Sequence, residues 1–245
     1  MNKLVFCTVG DTRALHYARK HLLQWGYSVV PAPSSDATHL LLPVPSLEPD
    51  GSIKGGPPLE EVLKQLPMDI TVLGGNLPEM PHLYYDFLKD EFYLEENAAI
   101  TARCTEKLML QQCNSFQAKT ILIIGWGRIG KQLAALLKRG GAAVTVAARK
   151  EADLQALAEL GYTSVQTRKW DARQYDIIIN TAPIHLLDEA EAQPSALLVD
   201  LASTKGITGS RVIWARGLPN KEAPEKSGLL IAKTALRYAL GKEFV

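Results

Sequence analysis

Residues 119–150 read KTILIIGWGRIGKQLAALLKRGGAAVTVAARK, and this stretch decides the fold. Thr120, Ile121, Leu122, Ile123 and Ile124 form a short, unbroken apolar run, the pattern of a buried strand. Gly125, Gly127 and Gly130 follow at G-x-G-x-x-G spacing, and residues 131–138 continue with helical periodicity. A second apolar strand is expected over 143–147. Strand, glycine turn, helix and strand, in that order, are the setting in which this motif reads as a dinucleotide site. Each glycine has its own task. Gly125 permits the tight turn, Gly127 lets a pyrophosphate approach the main chain, and Gly130 lets the helix close on the strand. The N–H groups of the first helical turn, which holds Arg128 and Ile129, then face the phosphates. The plainer reading is a glycine turn that binds nothing.

The bulk composition narrows the classes. A chain of 245 residues suffices for one large domain or two small ones. Hydrophobic residues make up 47%, enough for a sizeable core. A formal charge of +1 gives no field that would draw in nucleic acid or an anionic membrane, so neither is an expected partner. No run reaches the ~18 apolar residues that read as a membrane span. The opening MNKLVFCTVGDTR holds an apolar stretch too short for a secretory signal, and a cytoplasmic protein is expected. Cys7, Cys104 and Cys113 are odd in number and lack C-x-x-C spacing, which suits a reducing compartment. The five histidines, His16, His21, His39, His82 and His185, show no metal-ligand spacing.

Outward from the glycine motif, strands alternate with helices in both halves, the pattern of mostly parallel sheets. Residues 1–96 read as a smaller flavodoxin-like α/β domain on the substrate side. It holds a strand in KLVFCTVG, a helix over 12–25, strands in YSVVPA, THLLLPV and DITVLGG, a helix in PLEEVLKQL and a short helical or turn segment in MPHLYYDFL. Residues 43–58 carry five prolines and three glycines, so they form a loop, either substrate-side or floppy. Residues 97–114 read as a linking helix. Residues 115–245 read as a Rossmann-type doubly wound domain, with a helix near Leu187 and a last helix over 227–240 that packs within it or back on the first domain.

About 20 residues past the glycine motif, folds that prefer NAD carry an acid for the ribose 2′-hydroxyl. This chain has Arg149 and Lys150 there. A carboxylate would repel a 2′-phosphate, whereas a guanidinium holds one with a planar fork. NADP is therefore expected over NAD. The alternative is that both side chains simply solvate a strand end. Ligands of open parallel sheets bind beyond the carboxyl ends of the strands. Three further segments end apolar strands in small or turn-forming residues: Asn180-Thr181-Ala182-Pro183, Asp200-Leu201-Ala202-Ser203 and Gly217-Leu218-Pro219. Thr181, Ala182, Pro183, Ala202, Ser203, Leu218 and Pro219 join the expected cofactor set.

The segments GWGRIGKQLAALLKRGGAAVTVAAR, INTAP, LLVDLAS and GLPNKEAPEKSG together resemble the A-type subunit of dipicolinate synthase, an enzyme of spore-forming bacteria. TVGDTR, LLPV and NAAITA are similar to its first half more loosely. The resemblance implies an NADP-linked oxidation of a dihydrodipicolinate-type ring to pyridine-2,6-dicarboxylate, with the flavoprotein-like B-type subunit as partner. It also implies two domains, shaped like those of D-2-hydroxyacid dehydrogenases, with the active cleft between them. A homo-oligomer is expected. The chain departs from the family at Arg103 and Cys104, where an acid and a glycine are usual, at Asn220, where a glycine is usual, and at Lys205 and Gly206, which lack the paired glycines.

A dicarboxylate substrate calls for cations. Arg13, in GDTR, is the expected carboxylate clamp, with Asp11 to orient it or accept a proton. Asp11 or Thr12 equally suits a helix cap. Lys205 follows the Asp200 strand and could reach the cleft, and His185 after NTAP is a candidate general acid or base, or else only a polar turn residue. Two other readings stand beside this one. The first is a dehydrogenase or reductase of another small carboxylate or imine. The second is a regulatory protein that binds a nucleotide without turning it over.

Overall fold

The computed structural model describes residues 3–241. The chain divides into two compact units, one of residues 1–97 with 219–245 and the other of residues 98–218.

In the first unit β1 (Val5–Thr8), α1 (Arg13–Gln24), β2 (Ser28–Val30) and β3 (His39–Leu41) are followed by α2 (Leu59–Leu63), β4 (Thr71–Gly74) and β5 (Tyr84–Asp86). The five strands form one parallel sheet in the order β2-β1-β3-β4-β5, the flavodoxin-like order expected. Helix α1 starts where Thr12 accepts a hydrogen bond from Leu15 N at 3.2 Å, so Thr12, not Asp11, caps it. Its buried residues Ala14, Leu15, Ala18 and Leu22 make one stripe at helical spacing. Cys7 is fully buried, and that burial pushes its thiol up to about 11, with Arg19 pulling the other way. It is a core residue and not a nucleophile.

The proline-rich segment 43–58 is an ordered cover, which rules out a floppy loop. Ile53 is buried in the core of the first unit beside Leu42, Leu59 and Val72. Ser46 is fully buried, donating to Pro43 O at 2.8 Å and accepting from Gly75 N at 2.9 Å. Asp11 N donates to Lys54 O at 3.0 Å, which ties the cover to the turn after β1.

Helix α3 (Glu91–Cys113) begins six residues before the expected linking helix, because Asp90 accepts from Tyr93 N at 2.7 Å and starts the helix there. The boundary between the units falls inside it.

The second unit holds β6 (Thr120–Ile124), α4 (Arg128–Arg139), β7 (Ala143–Ala148), α5 (Glu151–Glu159), β8 (Thr163–Gln166) and β9 (Ile177–Asn180). Then come β10 (Leu187–Asp188), β11 (Leu197–Asp200), β12 (Ile207–Thr208) and β13 (Ile213–Trp214). Six strands form a parallel sheet ordered β13-β11-β9-β6-β7-β8, the doubly wound Rossmann order read outward from β6. The helix expected near Leu187 is absent. Asp188 and Glu191 form a capping box around one 3-10 turn, but Pro194 then denies the chain a helical continuation. Leu187 and Asp188 pair instead with Ile207 and Thr208.

After α6 (Leu218–Glu222) comes α7 (Pro224–Leu240), which packs against α1 within the first unit. A Cβ on Gly228 would stand 2.5 Å from both Ala14 O and Tyr17 Cβ. Gly228→Val should therefore destabilise the protein by about 1–3 kcal/mol through overpacking. Thermal unfolding checks this, with Lys233→Ala on the exposed side of α7 as the neutral control. An unchanged Tm for Gly228→Val would mean that the two helices can separate at no cost.

Candidate functional site

The centre of the site is the turn between β6 and α4. Gly125 has φ +109°, a left-handed conformation that side chains rarely adopt, and a Cβ there would meet Thr181 Oγ1 at 2.4 Å. Gly130 is held more tightly still, since its Cβ would lie 2.1 Å from Gly125 O. These two glycines serve the packing of α4 on β6. Gly127 differs. It is the N-cap of α4, with φ −77° and ψ −174°, and a Cβ there would have nothing within 4 Å. It makes no side-chain cap, so the first turn of a 12-residue helix presents its N–H groups without one. Helix α4 is anchored by Gly130, Leu133, Ala134 and Leu137, buried at helical spacing.

A buried polar brace shapes the neighbouring strand ends. Asn180 and Asp200 end the paired strands β9 and β11, and both are fully buried. Asn180 Nδ2 donates to Ala182 O at 2.9 Å and to Asp200 Oδ1 at 3.1 Å, while Asn180 Oδ1 accepts from Ala182 N at 3.0 Å. Asp200 Oδ1 also accepts from Ala202 N at 2.9 Å. Its Oδ2 accepts from Gly206 N at 2.6 Å and Ile207 N at 2.8 Å. Thr181 Oγ1 donates to Ile124 O at 3.0 Å and stands behind Gly125. The loops after both strands are thus fixed by side chains of the strands themselves.

Together these parts wall a groove of ≈ 520 Å³ at the carboxyl ends of β6, β7 and β9. It takes Gly125, Gly127, Arg149, Lys150, Ala182 and Pro183 from the expected set. Arg149 and Lys150 are exposed, and neither side chain has an ion-pair or hydrogen-bond partner among the described residues. Sequence reasoning missed Asp153, Thr167, Ile184 and Leu186, which also line it. Asp153 lies four residues past Arg149 in the first turn of α5, a spacing that places it near the end of β7. Trp126 lines the groove as well. Its ring meets Tyr162 edge-on at 5.7 Å, and Lys131 Nζ lies 5.9 Å from its centroid. The group that fits is elongated and carries a diphosphate: the bare helix start, the open Gly127 and the two cations all select for one.

The remaining expected residues do not line this groove. Arg128, Ile129 and Gly130 are the first residues of α4. Ala202 accepts from Trp214 Nε1 at 3.1 Å, Ser203 is exposed beside it, and Lys205 Nζ sits 5.0 Å above the Trp214 ring. Leu218 and Pro219 are buried at the start of α6. His185 lines a different cavity of the second unit, 3.8 Å from Asp188 Oδ1. In the first unit Asp11 and Arg13 are both exposed, and Arg13 Nη1 donates to Lys221 O at 3.3 Å.

Residues 95–193 match the family model described as D-isomer specific 2-hydroxyacid dehydrogenase, NAD binding domain, and so support a nicotinamide cofactor. The A-type subunit of dipicolinate synthase from Bacillus subtilis (strain 168) is 31% identical over 150 residues, which span 56% of this chain and about half, 50%, of that relative. The crystal structure of the same type of subunit from Bacillus halodurans superposes with a TM-score of 0.81 at 20% identity, covering 97% of this chain and 98% of that one. The crystal structure from Bacillus subtilis gives 0.79 at 21% identity, over 98% and 96%. At those identities the structural likeness bears on the fold. The expected resemblance to the A-type subunit of dipicolinate synthase holds.

Proposed function

We propose that this homologue of the A-type dipicolinate synthase subunit is an NADP-linked oxidoreductase that converts a dihydrodipicolinate-type ring to pyridine-2,6-dicarboxylate. The observation that carries the reading is the groove at the glycine turn, with an open Gly127 at a bare helix start and the unpartnered Arg149 and Lys150 at the end of β7. When bound, the nicotinamide supplies hydride acceptance. The chain supplies the rest. The α4 amides and Gly127 seat the diphosphate, Arg149 takes the 2′-phosphate with Lys150 beside it, and Ala182 and Pro183 face the cofactor along the β9 end. In the first unit, Arg13 is the proposed clamp for a substrate carboxylate, and Asp11 orients it or accepts the proton that the ring loses together with the hydride. Lys205 and His185 are the corresponding candidates of the second unit. The flavoprotein-like B-type subunit is the proposed partner, in keeping with the relative's name as one subunit of a synthase. A cytoplasmic setting is proposed; among the described residues no helix is long and apolar enough to cross a membrane.

Cofactor choice is testable through Trp126, which lines the groove. Titration with NADPH and NADH should show quenching by both, with NADPH binding at least about tenfold tighter, a difference of about 1.4 kcal/mol. Arg149→Glu should remove that preference. Equal affinities, unchanged by the substitution, would refute it. Asp153, the one carboxylate of the groove, favours NAD instead, and its proximity makes the Arg149 comparison necessary. Turnover is checked by absorbance of reduced nicotinamide on adding NADP and dihydrodipicolinate, with and without the flavoprotein partner. Another reading, a nucleotide-binding protein without catalysis, draws on the absence of any histidine among the groove-lining residues. Tight binding without turnover on any ring diacid or imine would select it.

A further inference from the structure

The second unit contains another cavity, of ≈ 580 Å³, that shares only Leu186 with the glycine-turn groove. It arises from an unusual pair of connections. The segments joining β8 to β9 and β9 to β11 cross the sheet with single 3-10 turns, Ala172–Gln174 and Glu189–Glu191, where a parallel crossover usually carries an α-helix. The missing helical side chains leave a space between the two connections. Its size lies within the ~300–1,000 Å³ of small-molecule sites.

The lining has both signs of charge. Arg168, Arg173 and Asp171 come from the first connection, and His185, Asp188 and Glu191 from the second, around apolar surface from Trp170 and Leu187; Asp171 accepts from Arg173 N, and Asp188 accepts from Thr208 Oγ1 and from the Glu191 main chain. The guanidinium of Arg173 has no partner among the described residues; only its main-chain N is engaged, donating to Asp171 Oδ1 at 3.0 Å. Arg168 adopts φ +69°, a left-handed conformation that costs a non-glycine residue about 1–2 kcal/mol. Its Nη2 reaches His185 O at 3.4 Å and so links the two connections. Glu191 Oε2 accepts from Asp188 N at 2.8 Å, which leaves Oε1 without a partner among the described residues. A simple anion in this space would meet the carboxylates, and a simple cation the guanidinium groups. A molecule with both charges meets a partner for each.

We propose that this cavity binds an α-amino acid, its carboxylate on Arg173 and Arg168, its ammonium on Glu191 and Asp188, and its side chain against Trp170 and Leu187. The proposal does not rest on the dinucleotide reading of the glycine-turn groove, although Leu186 lines both spaces and His185 lines this one.

The test is calorimetric titration of the whole protein with each common L-amino acid, followed by Trp170 fluorescence. At least one amino acid is expected to bind saturably. Its affinity should fall at least tenfold when the amine is acetylated, when the carboxylate is amidated, and in Arg173→Ala and Glu191→Gln. Both substituted side chains are exposed, so folding should be retained, and circular dichroism checks it. Gly127→Val should leave this binding intact. The proposal is overturned if no amino acid binds up to about 10 mM, weaker than a very weak ligand of 1 mM Kd. It is also overturned if the blocked analogues bind as well as the parent, if Arg173→Ala binds unchanged, or if Gly127→Val abolishes the binding.

Discussion

Gly127→Val is expected to fold as the native chain does, with Tm unchanged, and to lose at least tenfold in affinity for reduced nicotinamide dinucleotides, about 1.4 kcal/mol. The native φ of −77° and ψ of −174° are open to any residue, and no atom lies within 4 Å of the position a Cβ would take. The folded protein therefore has room for the valine side chain. A diphosphate seated on the first amides of α4 does not, because it must approach the main chain closely at that point. Gly130→Ala should behave in the opposite way. Its Cβ would stand 2.1 Å from Gly125 O, a main-chain atom that cannot rotate aside, so the helix must lift off the strand. Overpacking of this kind costs about 1–3 kcal/mol, occasionally more. Thermal unfolding and Trp126 quenching, measured on both variants, separate the two roles. Unaltered dinucleotide affinity in Gly127→Val would show that the diphosphate does not seat there.

Asp200→Ala is expected to give the larger loss of stability. The carboxylate is fully buried and accepts from Ala202 N, Gly206 N, Ile207 N and Asn180 Nδ2. Asn180 keeps a partner in Ala182 O, but three main-chain N–H groups lose theirs. Each buried donor left unmade costs about 1–3 kcal/mol, so the total should reach about 3 kcal/mol or more. For a unit of this size that corresponds to a fall of about 10 °C in Tm. Asp200→Asn keeps the shape and one acceptor oxygen, and should fall between alanine and the native residue. A Tm within a degree or two of native for Asp200→Ala would mean that water takes over the brace. Dinucleotide affinity should weaken as well, because Asn180 fixes Ala182 on the groove wall.

The glycine motif was legible because its physics is local. Three glycines at fixed spacing between an isoleucine-rich strand and a periodic helix allow few other conformations, and β6, α4 and β7 lie where that pattern puts them. Strands β1 to β4 of the first unit were legible for the same reason, each a short apolar run between turn residues. Three elements were not. Strand β5 lies in a segment expected to be helical or a turn, and its pairing with β4 extends Tyr84–Asp86 instead. The helix expected near Leu187 failed because one capped turn, followed by Pro194, pairs its leading residues with Ile207 and Thr208, far off in sequence. The segment 43–58 was legible as a loop but its order was not, because that order depends on Ile53 entering the core and Ser46 bridging Pro43 and Gly75, contacts with no local signature.

The candidate site divides along the same line. The sequence alone determined an α/β chain with a Rossmann-type half, the glycine turn between β6 and α4, and the basic pair after β7, since each follows from neighbours within a few residues. Tertiary structure alone decided which glycines bear packing and which is open, because that depends on how far Thr181 and Gly125 O stand from an imagined Cβ. It also brought Asp153, Thr167 and Leu186 to one groove and gave His185 to another cavity. Such assignments depend on how the loops after parallel strands pack against one another, and those distances are set by burial across the sheet and not by spacing along the chain.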